Sequence, residues 1–235
     1  MSHVLHRNIS ITVPTVKSAD GNYLIDDTGK KYLDASGGAA VSCLGHTNKR
    51  VIDAIKMQLD KVSFAHTGVF SNEPAEQLAT YLVENAPSGF GNGRAMFLGS
   101  GSEAMEAALK LARQYHLERG DDKRSKIIAR DRSYHGNTLG ALATGGHKQR
   151  QKPFDPLLID VAHIPPCYKY RFKKDTETEE EFGIRMANTL EEEILKQGSG
   201  TVAAFVAEPV SGASLGAEPP ARGYFRRIRE ICDKY

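Results

Sequence analysis

From about Arg94 onward, short apolar runs alternate with helical patterns, which predicts an α/β protein with a mainly parallel sheet and flanking helices. Ala95 to Leu98, Ile127 to Ala129, Leu157 to Val161 and Val202 to Ala207 are continuous enough to be buried strands. The stretches between them carry apolar residues at helical spacing, and a strand, helix, strand order calls for parallel pairing. A smaller element precedes this region. We therefore read residues 1–60 as an N-terminal segment with a β-hairpin and a helix, and residues 61–235 as the large domain.

The hairpin is expected where Asn22 to Asp26 and Lys31 to Ala35 flank the turn-rich Asp27-Thr28-Gly29. Asn48 can cap a helix whose apolar face is Val51, Ile52, Ile55 and Leu59. Asn72 can cap another, with Pro74 in its first turn and Leu78, Leu82 and Val83 inward. The clearest helix begins at Ser102, with Ala104, Ala108, Leu111, Ala112 and Tyr115 on one face and Lys110, Arg113 and Glu118 toward water. The charged run from Lys173 to Glu181 reads as a solvated loop whose acids suit the N-terminus of a helix over Ile184 to Leu195. A last helix, roughly Arg222 to Tyr235, sets Tyr224, Ile228, Ile231 and Tyr235 at helical spacing.

The chain has 235 residues, which suits one large domain or one and a half ordinary ones. A net charge of +2 leaves no electrostatic footprint for nucleic acid. No apolar run approaches the ~18 residues of a membrane span. Met1 to Lys17 lacks the apolar stretch of a secretory signal. A cytoplasmic location is expected, and a mitochondrial presequence stays open although only Arg7 and Lys17 would supply its fixed charge. Cys43, Cys167 and Cys232 are far apart and odd in number, which implies neither a disulfide framework nor a zinc site.

The sharpest local signal is Phe97-Leu98-Gly99-Ser100-Gly101-Ser102-Glu103-Ala104, where small residues run directly into the best helix. Such a junction gathers unpaired N–H groups at the positive end of a helix dipole, and Ser100 and Ser102 add hydroxyl donors. The spacing matches neither GxxxxGK[ST] nor GxGxxG, so a single phosphate group is the better match. Taken alone, the motif is explained equally well by Ser102 capping its helix with Glu103 and Glu106 nearby. Ser133-Tyr134-His135-Gly136-Asn137-Thr138 follows the next expected strand, where α/β sheets place their ligand crevice, and an aromatic there can stack on a flat cofactor. An ordinary loop aromatic beside a backbone-bonded histidine is the more economical account of Tyr134 and His135 taken singly. Glu208, in Val206-Ala207-Glu208-Pro209-Val210-Ser211-Gly212, is a carboxylate at the end of an apolar strand and costly to bury without a partner or a task.

Taken together, GSGSEAMEAALKLAR, SYHGNT, AAFVAEPVSG and the closing GYFRRIREICDKY resemble the class III aminotransferases, which use pyridoxal phosphate on the type I fold. The resemblance extends over nearly the whole chain, including Tyr32-Leu33-Asp34-Ala35, Gly45-His46 and the Phe70 to Leu82 helix. It implies that Gly101 and Ser102, with Ser100 adjacent, form the phosphate cup. It makes Tyr134 the ring that stacks on the pyridine, with His135 and Gly136 completing that loop, and sets Glu208 in the polar network beside the cofactor ring. It also implies an amine or amino acid donor, a keto acid or aldehyde acceptor, and a homodimer in the full-length form.

In that family a strand ending in an aspartate follows the final helix, and a lysine that forms the Schiff base comes further on. Neither is expected among these residues, so the chain reads as an incomplete large domain without the C-terminal small domain, inactive when alone. Lys110, Lys148 and Lys234 lack the family's context for that lysine. Gly45-His46-Thr47-Asn48-Lys49 also departs from relatives that carry a proline after a GHxH-type run. A non-catalytic module that binds the cofactor or pairs with a full-length relative, and a related decarboxylase or mutase, are the alternatives.

Overall fold

The computed structural model describes residues 3–235; Met1 and Ser2, where the stretch read for a leader begins, lie outside the described residues. The chain divides into two units, Met1–Gly93 and Arg94–Tyr235.

In the first unit, β1 (Val16–Asp20), β2 (Tyr23–Asp26) and β3 (Lys31–Leu33) form an antiparallel meander in that order. The hairpin expected from the sequence is β2–β3; β1 was missed because its sequence VKSAD carries no apolar alternation. Asp26 fixes the turn: its carboxylate accepts from the Thr28 hydroxyl at 2.7 Å, the Tyr32 hydroxyl at 2.8 Å and the Lys30 amide at 2.9 Å. Led by the Thr28 hydroxyl, these donors hold its pKa down at about 2. A single helical turn, α1 (Gly37–Ala40), is followed by α2 (Lys49–Lys61), capped by Asn48, and α3 (Glu73–Glu84), capped by Asn72. Both caps are as expected. The faces are not: Ile55, Leu59, Leu78 and Leu82 are exposed, because an apolar stripe is buried only where another element packs over it.

The second unit opens on an irregular stretch. Ala95 to Leu98, expected as a strand, pairs with no other strand among the described residues, and apolar content without a ladder partner does not make one. Next come α4 (Gly101–Glu118), β4 (Lys126–Arg130), α5 (Leu139–Thr144) and α6 (Lys148–Gln151), which runs into a tight 3-10 turn over Lys152–Leu157. Of the strand expected from Leu157 to Val161, Leu157 ends that turn and residues 158–161 pair with no other strand among the described residues; pairing begins only at β5 (Ala162–Ile164), where Ala162 lies opposite Ile128. The short α7 (Lys169–Phe172), α8 (Glu179–Gln197), β6 (Val202–Phe205) and α9 (Tyr224–Lys234) complete the unit.

The three strands form a parallel sheet in the order β5-β4-β6, with Ile128 opposite Ala162 on one side and Phe205 on the other. Phe182, Met186, Leu190 and Ile194, four residues apart on α8, and Tyr224, Ile228 and Ile231 on α9 close over Ile128, Ile164 and Val202 as one core. Thr178 and Glu181 make a capping box at the start of α8, so the acidic run ends in the first turn of the helix. Arg227 then clamps α9 to α8 through Glu191 and Asn188, both at 2.7 Å. The stripe of α4 is the exception, since Leu111 and Tyr115 remain 60% and 52% exposed. Arg113, expected to face water, instead donates to the Arg124 carbonyl at 2.7 Å.

Candidate functional site

Three loops meet the C-terminal ends of the parallel strands or the N-terminus of α4, where such sheets offer a crevice. Ser100, not Ser102, is the N-cap of α4, and its hydroxyl accepts from the Glu103 amide at 3.2 Å. Ser102 is therefore released from capping. Its hydroxyl oxygen accepts from the Asn137 amide at 2.9 Å, which pins the loop after β4 onto the start of α4. A hydroxyl that accepts still has its own proton to donate, so both serines keep a donor for a ligand. The amides of Gly101 and Ser102, in the first turn, make no hydrogen bond among the described residues. A Cβ on Gly101 would meet nothing within 4 Å, so the space beside this backbone is open.

Gly136 is where the loop comes closest to α4. Its φ is +135°, and a Cβ there would meet the Ser102 hydroxyl at 2.7 Å and Cα at 2.9 Å. Glu106, one turn beyond Ser102, accepts from the Gly140 and Ala141 amides at 2.9 and 3.1 Å and so holds the N-terminus of α5. The Thr138 hydroxyl beside it, then these two amides, keep its carboxyl below the ordinary range. In the sequence Glu106 stands out only as a neighbour of the cap, although its spacing of four from Ser102 puts it on the same helix face.

The structure thus brings Ser100, Gly101, Ser102 and Gly136 together. Tyr134, in the same loop, is 44% exposed, and the Arg150 guanidinium lies 5.1 Å from its ring centroid. His135, next to it, is partly buried. Its Nε2 is buried without a partner, and burial, with Arg130 and His163 adding positive charge, pushes its pKa down to about 4. His135 is therefore neutral at physiological pH.

Glu208 stands past the end of β6. One carboxylate oxygen accepts from the Gly212 amide at 3.3 Å, and the other is buried and unpartnered. The backbone of this turn is gripped by Arg130, at the end of β4, whose guanidinium donates to the Glu208 carbonyl at 2.6 Å. Arg130 belongs to no motif of its own, although a charge closing the apolar run IIAR carries the same burial cost as the Glu208 carboxylate. Free amides and hydroxyl protons at a helix's positive end suit a phosphate monoester, and the unpartnered Glu208 oxygen suits a nearby donor. Of the lysines noted in the sequence, Lys110 is exposed, and Lys148 is exposed with its ammonium 3.8 Å from Asp131.

Residues 4–235 match the model of the class III aminotransferase family. An uncharacterized aminotransferase of Schizosaccharomyces pombe is 51% identical over 94% of this chain and 48% of its own length. Gamma-aminobutyrate transaminase 1, mitochondrial, of Oryza sativa subsp. japonica is 39% identical over 94% of this chain and 42% of its own. The crystal structure of an omega transaminase from Pseudomonas jessenii, in complex with PMP, superposes with a TM-score of 0.86 at 34% identity, over 95% of this chain and 49% of that one. The chain therefore spans about half the length of the relatives it matches. The parallel sheet, its flanking helices and the match from residue 4 to residue 235 together place this chain in the class III aminotransferase family, on fold type I.

Proposed function

We propose that this chain forms the phosphate-binding part of a pyridoxal-phosphate-dependent transaminase, which passes an amino group from an amine or amino acid to a keto acid or aldehyde. Class III aminotransferases depend in general on that cofactor. When bound, pyridoxal phosphate supplies an electron sink that acidifies the Cα–H of the amine. The observation that carries the reading is the α4 N-terminus, with its two free amides and two hydroxyl protons beside the loop of Tyr134.

In this reading the Gly101 and Ser102 amides and the Ser100 and Ser102 hydroxyls hold the phosphate. The Tyr134 ring lies against the pyridine, and His135 and Gly136 give the loop its shape. Glu208 offers its unpartnered oxygen to a donor on the ring or the substrate, positioning the ligand rather than moving protons. The rice gamma-aminobutyrate transaminase and the Pseudomonas omega transaminase favour an ω-amino donor. We further propose a cytoplasmic homodimer for the full-length enzyme, and that these 235 residues alone do not carry the covalent step.

Two measurements test this. Gly101→Ala adds a methyl group to open space, so the melting temperature should hold while the Kd for pyridoxal phosphate rises about tenfold, because the methyl group stands where the phosphate would approach the Gly101 amide. Equal affinity in the variant would remove the phosphate cup from α4. Borohydride reduction of the chain mixed with pyridoxal phosphate should leave no adduct, or sparse labelling over many lysines. Stoichiometric labelling of a single lysine would mean that an internal lysine carries the covalent chemistry and that the chain is complete in that respect.

A further inference from the structure

Arg130 is only 2% exposed, and a buried guanidinium normally answers a carboxylate. Here no ion pair satisfies it among the described residues. Its Nη2 donates to the Glu208 carbonyl at 2.6 Å and to the Ser211 hydroxyl at 3.3 Å, while its Nε is buried and unpartnered. The rings of Tyr224 and Phe225, at the start of α9, each lie 5.9 Å from the guanidinium carbon and supply a soft counter-surface. All of its donated bonds therefore go to one turn, the four residues from Glu208 to Ser211. The far side of that turn is fixed by backbone pairing of Ser211 with Glu218, at 2.9 and 3.0 Å, and by the Gly212 amide on the Glu208 carboxylate.

We infer that Arg130 is the positioning residue of the Glu208 carboxylate: it ties the turn after β6 to the end of β4 and so sets where the free carboxylate oxygen points. A guanidinium suits this task better than an ammonium, because it is more weakly hydrated and can lie beside two aromatic rings while Nη2 reaches the carbonyl and the hydroxyl. The consequence for ligand binding rests on the reading above that Glu208 lies beside the cofactor; the positioning of the turn does not.

The test uses the purified chain with Arg130→Met, Arg130→Lys, Ser211→Ala, Glu208→Gln and the double variant Arg130→Met/Glu208→Gln. Without cofactor, amide hydrogen exchange at Gly212 should speed up at least tenfold in both Arg130 variants and by a smaller factor in Ser211→Ala. Arg130→Met should also raise the NMR titration midpoint of His135, and Arg130→Lys, which keeps the charge, should raise it less. With pyridoxal phosphate, Arg130→Met and Glu208→Gln should each weaken binding about tenfold, and the double variant should be no weaker than the worse single one. Unchanged Gly212 exchange in folded Arg130→Lys and Ser211→Ala would overturn the inference, as would losses that multiply in the double variant. Faster Gly212 exchange combined with full affinity in Glu208→Gln would uphold Arg130 as the holder of the turn and refute the placement of Glu208 beside the cofactor.

Discussion

His135 is a case where surroundings decide chemistry. Its folded pKa of about 4 lies below the ordinary 6.5, so between those values the unfolded chain binds a proton that the folded chain refuses. Its contribution to stability is complete above pH 6.5 and is lost as pH falls toward 4. The melting temperature should therefore drop over that window, and His135→Gln should flatten the decline; an equal slope in the variant would place the loss elsewhere, His163 being next, since burial lowers its pKa too. Ser100 offers a second check: removing its cap with Ser100→Ala should cost about 1 kcal/mol in chemical denaturation. The candidate site was partly legible at this scale. Ser100, Gly101 and Ser102 could be found because small residues before a helix have a local meaning. The bond from Ser102 to the Asn137 amide spans 35 residues and has no local signature. Arg130 was hidden in the same way, its partners lying 78 and 81 residues on.

At the scale of elements, two glycines govern how closely the backbones approach. Gly183 lies in the first half of α8, where a Cβ would run into the Arg222 carbonyl just ahead of α9. Gly146 passes so near the end of β4 that its Cβ would strike the Arg130 carbonyl and the Arg132 amide. Both obstacles are main chain and cannot swing aside. Gly183→Ala and Gly146→Ala should each destabilise the fold by roughly 1–3 kcal/mol, measured by urea unfolding, whereas Gly200→Ala, with nothing near its Cβ, should change little. Helices with caps were the elements best read in advance, because a cap and an apolar period are both short-range. The strands at Ala95 to Leu98 and Leu157 to Val161 were not, because a strand exists only through the neighbour it pairs with, and that neighbour is remote in sequence.

For the whole molecule, the parallel pairing of β4, β5 and β6 follows from alternating runs and helices, but neither their order nor which apolar faces are covered does. Amphipathic spacing tells that a face needs a partner; it does not tell which surface supplies one. The stripes on α2, α3 and α4 have the spacing of buried faces and yet are exposed, with Leu111 and Tyr115 adjacent on α4. Covering such a residue gains on the order of 1–2 kcal/mol at about 25 cal/mol per Å² of apolar area, so several covered together favour association of copies as concentration rises. The chain should therefore show a weight-average sedimentation coefficient that rises with concentration. Leu111→Glu should reduce that rise, because a charge buried against apolar surface without a partner costs more than the contact returns, while far-UV circular dichroism stays the same. A wild-type chain that sediments as a monomer across the whole range would show that these stripes do not act as contact faces between copies.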